Sequence, residues 1–163
     1  MLNRRSTSGF TLVELMIIVV LLGVVTAVAL PSFSQLVSGN RTQSAASELT
    51  ALLQFSRESA LTRRAAATVC LDDSTVWFVS PGNQCDQDNT LRTMEVAAGV
   101  QVATSDDSLV FRHNGSAPEQ TIVLCHDEDF ANGYTLTVQS SGLVRSSKRG
   151  QTADEQPMSS CEP

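Results

Sequence analysis

The sequence has only two histidines, His113 and His126, and 11 basic residues against 17 acidic ones. It holds no G-x-S-x-G elbow, no P-loop and no dinucleotide-binding glycine pattern, so the local signatures of those hydrolase, phosphoryl-transfer and hydride-transfer sites are missing. None of its four cysteines forms a C-x-x-C pair, and the two histidines do not recur at ligand spacing, which argues against zinc. One run, Cys125-His126-Asp127, invites a nucleophile reading. It lies in a β-rich stretch, where successive side chains point to opposite faces, so Cys125 and His126 would not meet. No convergent acid–base set remains. The expectation is a protein without catalytic residues, metal or cofactor.

Basic residues are also absent between Arg5 and Arg41, and that gap frames residues 10–30, which are almost wholly apolar. As a helix these 21 residues extend about 32 Å at ~1.5 Å per residue, close to a hydrocarbon core of ~30 Å. Arg4 and Arg5 before the run hold the N-terminus in the cytoplasm and send the rest of the chain across the membrane. A cleaved signal peptide is the plainer reading, with Ala27-Val28-Ala29 as its cleavage site, but the apolar run exceeds the usual ~7–15 residues. Glu14 is the sole carboxylate in the run, and burying it costs on the order of 2.5–3.5 kcal/mol. A disposable segment has no use for it.

The stretch "SGFTLVELM" resembles the type IV prepilin leader motif: a short basic leader ending in glycine, then phenylalanine, then glutamate at the fifth mature position. Gly9 matches the last leader residue, Phe10 the mature N-terminus, Glu14 the glutamate, and Pro31 the helix-bending proline of many pilins. The resemblance implies cleavage between Gly9 and Phe10 by a prepilin peptidase and N-methylation of Phe10. The freed amine and the Glu14 carboxylate would cancel charge in low dielectric, either within one chain or, as the resemblance implies, between the amine of one subunit and the glutamate of its neighbour.

Cleavage there removes Arg4 and Arg5 and leaves 9 basic against 17 acidic residues, a net charge of −8. From Ala66 onward 5 basic face 14 acidic residues, which disfavours nucleic acid as a partner. Cys70, Cys85, Cys125 and Cys161 all follow the apolar run, and an even number in an exported region reads as two disulfides. Of the three pairings the expected one is Cys70–Cys85 with Cys125–Cys161, the second fastening an otherwise polar tail, "SKRGQTADEQPMSSCEP".

Beyond Pro31 the positions Ala45, Leu49, Leu52, Leu53, Ser56 and Ala60 recur at steps of three and four, which predicts that the helix continues as an amphipathic one, with bends at Pro31 and Gly39, and fades near Arg63-Arg64. The period then changes. Runs at 67–72, 75–80, 91–96, 100–104, 108–113, 121–126, 134–139 and 142–147 read as strands separated by turn residues. In the seventh, Tyr134, Leu136 and Val138 share an apolar face while Thr135, Thr137 and Gln139 share a polar one; "QSSGLV" reads as a hairpin.

This gives an α+β architecture: a leader at 1–9, a transmembrane helix segment at 10–31, an amphipathic helix half at 32–65 and an antiparallel, two-sheet head at 66–163. It is similar to the pilin fold. With "NRTQSAASEL" and the near-terminal cysteine it resembles minor pilins of the FimU/FimT type, cousins of the GspH-type minor pseudopilin of type II secretion. The likeness implies an inner-membrane subunit with a periplasmic head that joins other minor pilins and the major pilin, primes pilus assembly and sits at the fibre tip, serving twitching motility and adhesion. Some FimT-type pilins bind DNA through Gly-Arg-x-Arg near the last hairpin. The matching stretch here is Gly142-Leu143-Val144-Arg145, which lacks the first arginine and leaves Arg145, Lys148 and Arg149 as a small basic patch suited at most to weak contact.

Overall fold

A computed structural model describes residues 10–72 and 75–163, with the side chains at 28 and 30–32 outside the description. The expected leader, Gly9 included, therefore lies outside the described residues. The chain forms two compact units, divided between Val37 and Ser38.

Helix α1, Leu12–Arg63, carries the first unit and opens the second. The helix continues through Pro31, which has no N–H to donate, and through Gly39. In the first unit its apolar side chains are open among the described residues: from Ile18 at 40 % to Leu12 at 74 %, every large one from 12 to 25 is exposed. The expected span of 10–31 includes positions whose side chains lie outside the description; among the described residues no helix is long and apolar enough to cross a membrane.

In the second unit the same helix buries a stripe. Ala45, Ala46, Leu49, Leu52, Leu53, Ser56 and Ala60 are each at most 3 % exposed, so the stepping of three and four is met. Alanine and serine keep the stripe thin and let the helix approach closely, while each buried leucine contributes roughly 1.5–3 kcal/mol. The helix ends with Arg64 in the left-handed region, φ 50, and Ala65 N–H donating back to Ala60 O at 3.3 Å.

Eight strands follow: β1 Ala67–Asp72, β2 Val76–Pro81, β3 Arg92–Glu95, β4 Val100–Thr104, β5 Ser108–Phe111, β6 Gln120–His126, β7 Tyr134–Val138 and β8 Val144–Ser146. They match the eight runs expected, two of them end to end and the others with ends shifted by one or two residues. Two antiparallel four-stranded sheets result, in the orders β3-β2-β1-β5 and β4-β6-β7-β8. Their inner faces supply Val69, Trp77, Val79, Leu109 and Phe111 from one sheet and Ile122, Leu124, Leu136 and Val138 from the other, in one core with the helix stripe. That core draws only on residues from Ala45 onward, so the second unit carries a complete core of its own.

Each sheet also has its outer face covered by a strap of chain held by one disulfide. Residues 82–91 fold over the first sheet. Thr68 Oγ1 donates to Gly82 O at 2.7 Å, Asp86 N–H to Ser80 Oγ at 3.2 Å, and Cys85 bonds Cys70. Thr68, Cys70, Phe78 and Ser80 are thereby buried on the outer face. The tail covers the second sheet. Met158 N–H donates to Gly150 O at 2.9 Å, Cys161 bonds Cys125, and Met158, Val123 and Cys125 make a second small core. One expectation changes as a result. Thr135 does share the polar face of β7 with Thr137, yet it is buried, because its hydroxyl lies 3.8 Å from Met158 Sδ under the tail.

Candidate functional site

The N-terminal end of α1 holds the residues the leader motif singled out. Phe10 is 70 % exposed and precedes the helix. Thr11 caps it: its Oγ1 accepts from Glu14 N–H at 3.2 Å and its carbonyl from Leu15 N–H at 3.2 Å. Glu14 is thus the third residue of the helix, where a carboxylate interacts favourably with the helix dipole. The sequence reading missed this cap, although Thr11-x-x-Glu14 is the spacing of a capping box. The cap organises the backbone and leaves the carboxylate exposed amid apolar side chains. Among the described residues the ion pair seen is His126 with Asp127, at 3.2 Å, so no described cation neutralises Glu14. Chemically this is an acceptor waiting for an amine or another donor.

The cysteines pair as expected. Cys70–Cys85 closes a separation of 15 residues and Cys125–Cys161 one of 36, with Cα atoms 5.9 and 6.0 Å apart. Cys125 is 1 % exposed and committed to its disulfide, so its neighbours His126 and Asp127 have no thiol to activate.

The three basic residues do not converge. Arg145 lies opposite Thr137 on β8 and is exposed. Lys148 and Arg149 lie past the strand's end, where Arg149 Nε donates to Tyr134 Oη at 3.4 Å, at the far end of β7. Leu143, standing where the DNA-contacting motif has its first arginine, is 41 % exposed. Arg145 instead borders an open cleft of about 590 Å³ with Thr121, Thr137, Glu119 and Asp154, a floor of hydroxyls with charges of both signs.

The hairpin before Arg145 is fixed by glycines and by α1. Gly142, at φ 75, returns its N–H to Gln139 O at 2.7 Å, and a Cβ there would overlap the carbonyl of Gly115. Arg57 on the helix donates from Nε to Gly115 O at 3.2 Å and from Nη2 to Ser141 O at 3.4 Å. One guanidinium thus ties the helix to two turns, a long-range link that no local pattern announces.

Comparison with known proteins agrees with this geometry. Residues 45–142 match the family described as type II transport protein GspH, and residues 4–30 match the prokaryotic N-terminal methylation motif. Among solved structures the fold is similar to the type IV minor pilin FimU of Pseudomonas aeruginosa, with TM-score 0.63 and 23 % identity over 75 % of this chain and 96 % of that one. It is also similar to the minor pseudopilin EpsH of the Vibrio cholerae type II secretion system. One structure of it gives TM-score 0.54 and 14 % identity over 69 % of this chain and 97 % of that one; another gives 0.51 and 16 % over 66 % and 96 %.

Proposed function

Because this chain belongs to the type II transport protein GspH family and carries the N-terminal methylation motif, making it a minor pilin or pseudopilin, we propose that it is a minor pilin of a type IV pilus. A prepilin peptidase cuts between Gly9 and Phe10, and Phe10 is N-methylated. Residues 10–31 then anchor the subunit in the inner membrane, with the N-terminus cytoplasmic and the head periplasmic. From there it joins other minor pilins and the major pilin in the complex that primes assembly, and it takes a place at the fibre tip.

The observation that carries this reading is the state of α1 from 12 to 25. Its apolar side chains are exposed around a single unneutralised carboxylate, Glu14. Apolar surface on that scale calls for an apolar surrounding, first lipid and then the packed helices of a fibre. A buried carboxylate calls for a charge partner, which the amine of an adjoining Phe10 supplies. Pull-down of the other minor pilins by the head tests the role; recovery of none of them contradicts it.

A second reading, the minor pseudopilin of type II secretion, is favoured by the family match and by the likeness to EpsH. The higher TM-score to FimU supports the pilus. Deletion separates the two: loss of surface pili with intact secretion fits the pilus, the reverse fits secretion. DNA uptake is the weakest alternative, since Arg145, Lys148 and Arg149 are spread along β7. The head should bind duplex DNA weakly or not at all at physiological salt, and submicromolar binding abolished by Arg145→Ala would promote that reading.

A further inference from the structure

We propose that two copies of the head associate end to end, an arginine-rimmed apolar end of one receiving the acidic aromatic loop at the opposite end of the other. Among the described residues of 38–163 the exposed large apolar side chains are Leu61, Leu143 and Phe130, and they fall in two places. The Arg57 clamp gathers Leu61 and Leu143 at one end: Leu61 Cδ2 lies 3.1 Å from where a Cβ on Gly115 would be, and Gly115 abuts Gly142, the neighbour of Leu143. Arg63 and Arg64 follow Leu61, Arg112 opens the turn that contains Gly115, and all three are exposed with no ion pair among the described residues.

Phe130 stands at the other end of the β6–β7 ladder, about 20 Å away for the seven residues of β6 at ~3.3 Å each. It follows Asp127, whose carboxylate lies 3.2 Å from His126 Nδ1, and Glu128; both are exposed and both are held at positive φ, 47 and 62. One end is therefore apolar with a cationic rim, and the other is aromatic with an anionic rim. Arginine and aromatic side chains are the residue types enriched where proteins meet. A contact between unlike ends of one molecule is heterologous, so it does not close on itself and leaves one end of each copy open to a further head.

Neighbouring charges temper the match. Glu58 lies one turn before Leu61 and Glu119 two residues beyond Ala117, whose N–H donates to Ser140 O at 3.4 Å, while Lys148 and Arg149 sit beside Tyr134 at the acidic end. The contact is accordingly weak for free heads and gains from the high effective concentration of tethered subunits. A nucleic acid fits less well: it would run on from this patch over a surface where 16 acidic residues of 38–163 face 9 basic ones, and the two leucines offer phosphate nothing. A compact acidic loop meets neither obstacle.

The inference extends the pilus reading but is measured without a pilus, so incorporation into fibres and association of heads can fail separately. Sedimentation equilibrium of residues 38–163 at high protein concentration should reveal association that weakens as salt is raised. Arg63→Glu with Arg64→Glu, or Asp127→Asn with Glu128→Lys, should each weaken it by about tenfold or more, and an equimolar mixture of the two variants should associate better than either alone. Leu143→Ser, at an exposed site, should weaken it without changing the salt dependence. Heads that stay monomeric at every concentration, or a mixture no better than its components, would overturn the proposal. So would unchanged association in the arginine variant accompanied by loss of DNA binding, which would identify the patch as a nucleic-acid contact.

Discussion

Residues 12–25 and 45–60 belong to one helix and are both rich in apolar side chains, yet they solve opposite problems. The second stretch buries Leu49, Leu52 and Leu53 completely, against two sheets of its own chain. Among the described residues the first leaves every large apolar side chain exposed, Ile18 least at 40 %. The difference lies in pattern. Apolar residues at steps of three and four, with polar ones between, define a single face that one core can cover. An unbroken apolar run has no polar face and no preferred side, so it must be surrounded rather than covered. On the proposed reading other molecules do the surrounding, and Glu14 is placed to meet a charge on one of them.

Breaking the tail staple should have the largest effect on the head. Cys125→Ser with Cys161→Ser opens a loop of 36 residues, worth at most about 4 kcal/mol in the loop-entropy model. Because Met158 covers Val123 and Thr135, loss should also appear as faster amide exchange at Thr135, alongside a lower denaturation midpoint. Unchanged exchange at Thr135 would mean that the tail holds its place without the bond.

Leu52→Ala should come next, lowering the stability of residues 38–163 by about 3 kcal/mol in urea denaturation. The matching change in the first stretch, Leu21→Ala, should leave the head's midpoint unmoved, since Leu21 is 60 % exposed. Equal losses from the two would erase the contrast between the halves. Ser56→Ala tests the stripe from the other side. The Ser56 hydroxyl is fully buried with no hydrogen-bond partner among the described residues, so alanine should raise stability by about 1 kcal/mol. The smallest effect on the fold is expected from Glu14→Ala, which should not shift the head's midpoint at all, yet should sharply reduce recovery of the subunit in sheared pili. Normal recovery would mean that the carboxylate serves only its own helix.

Much of the fold was legible in the sequence, for identifiable reasons. The eight strands announce themselves through alternation bounded by turn residues, and the helix end at Arg63 through loss of the three-four stepping. Cysteine positions and the need to fix a polar tail were enough to anticipate both disulfides. The strap over the first sheet was not legible. Residues 82–91 have no periodicity, so nothing signals that Phe78 would be buried on the outer face, at 4 % exposure. The pairing of β1 with β5 is equally silent, because the chain between them makes three further strands, one of them in the other sheet. At the candidate site the motif gave Phe10 and Glu14 directly, whereas the Thr11 cap was present only as a spacing, and the Arg57 clamp spans 58 and 84 residues of sequence with no local trace.

Everything proposed for the first stretch requires it to be a retained anchor, made by cutting at one bond. Intact mass of the membrane-extracted protein measures this directly. The prediction is a chain beginning at Phe10 and carrying one additional methyl group on its amine. A chain beginning at Leu30, after Ala27-Val28-Ala29, would have discarded Glu14 with the whole exposed half of the helix, and would contradict the account.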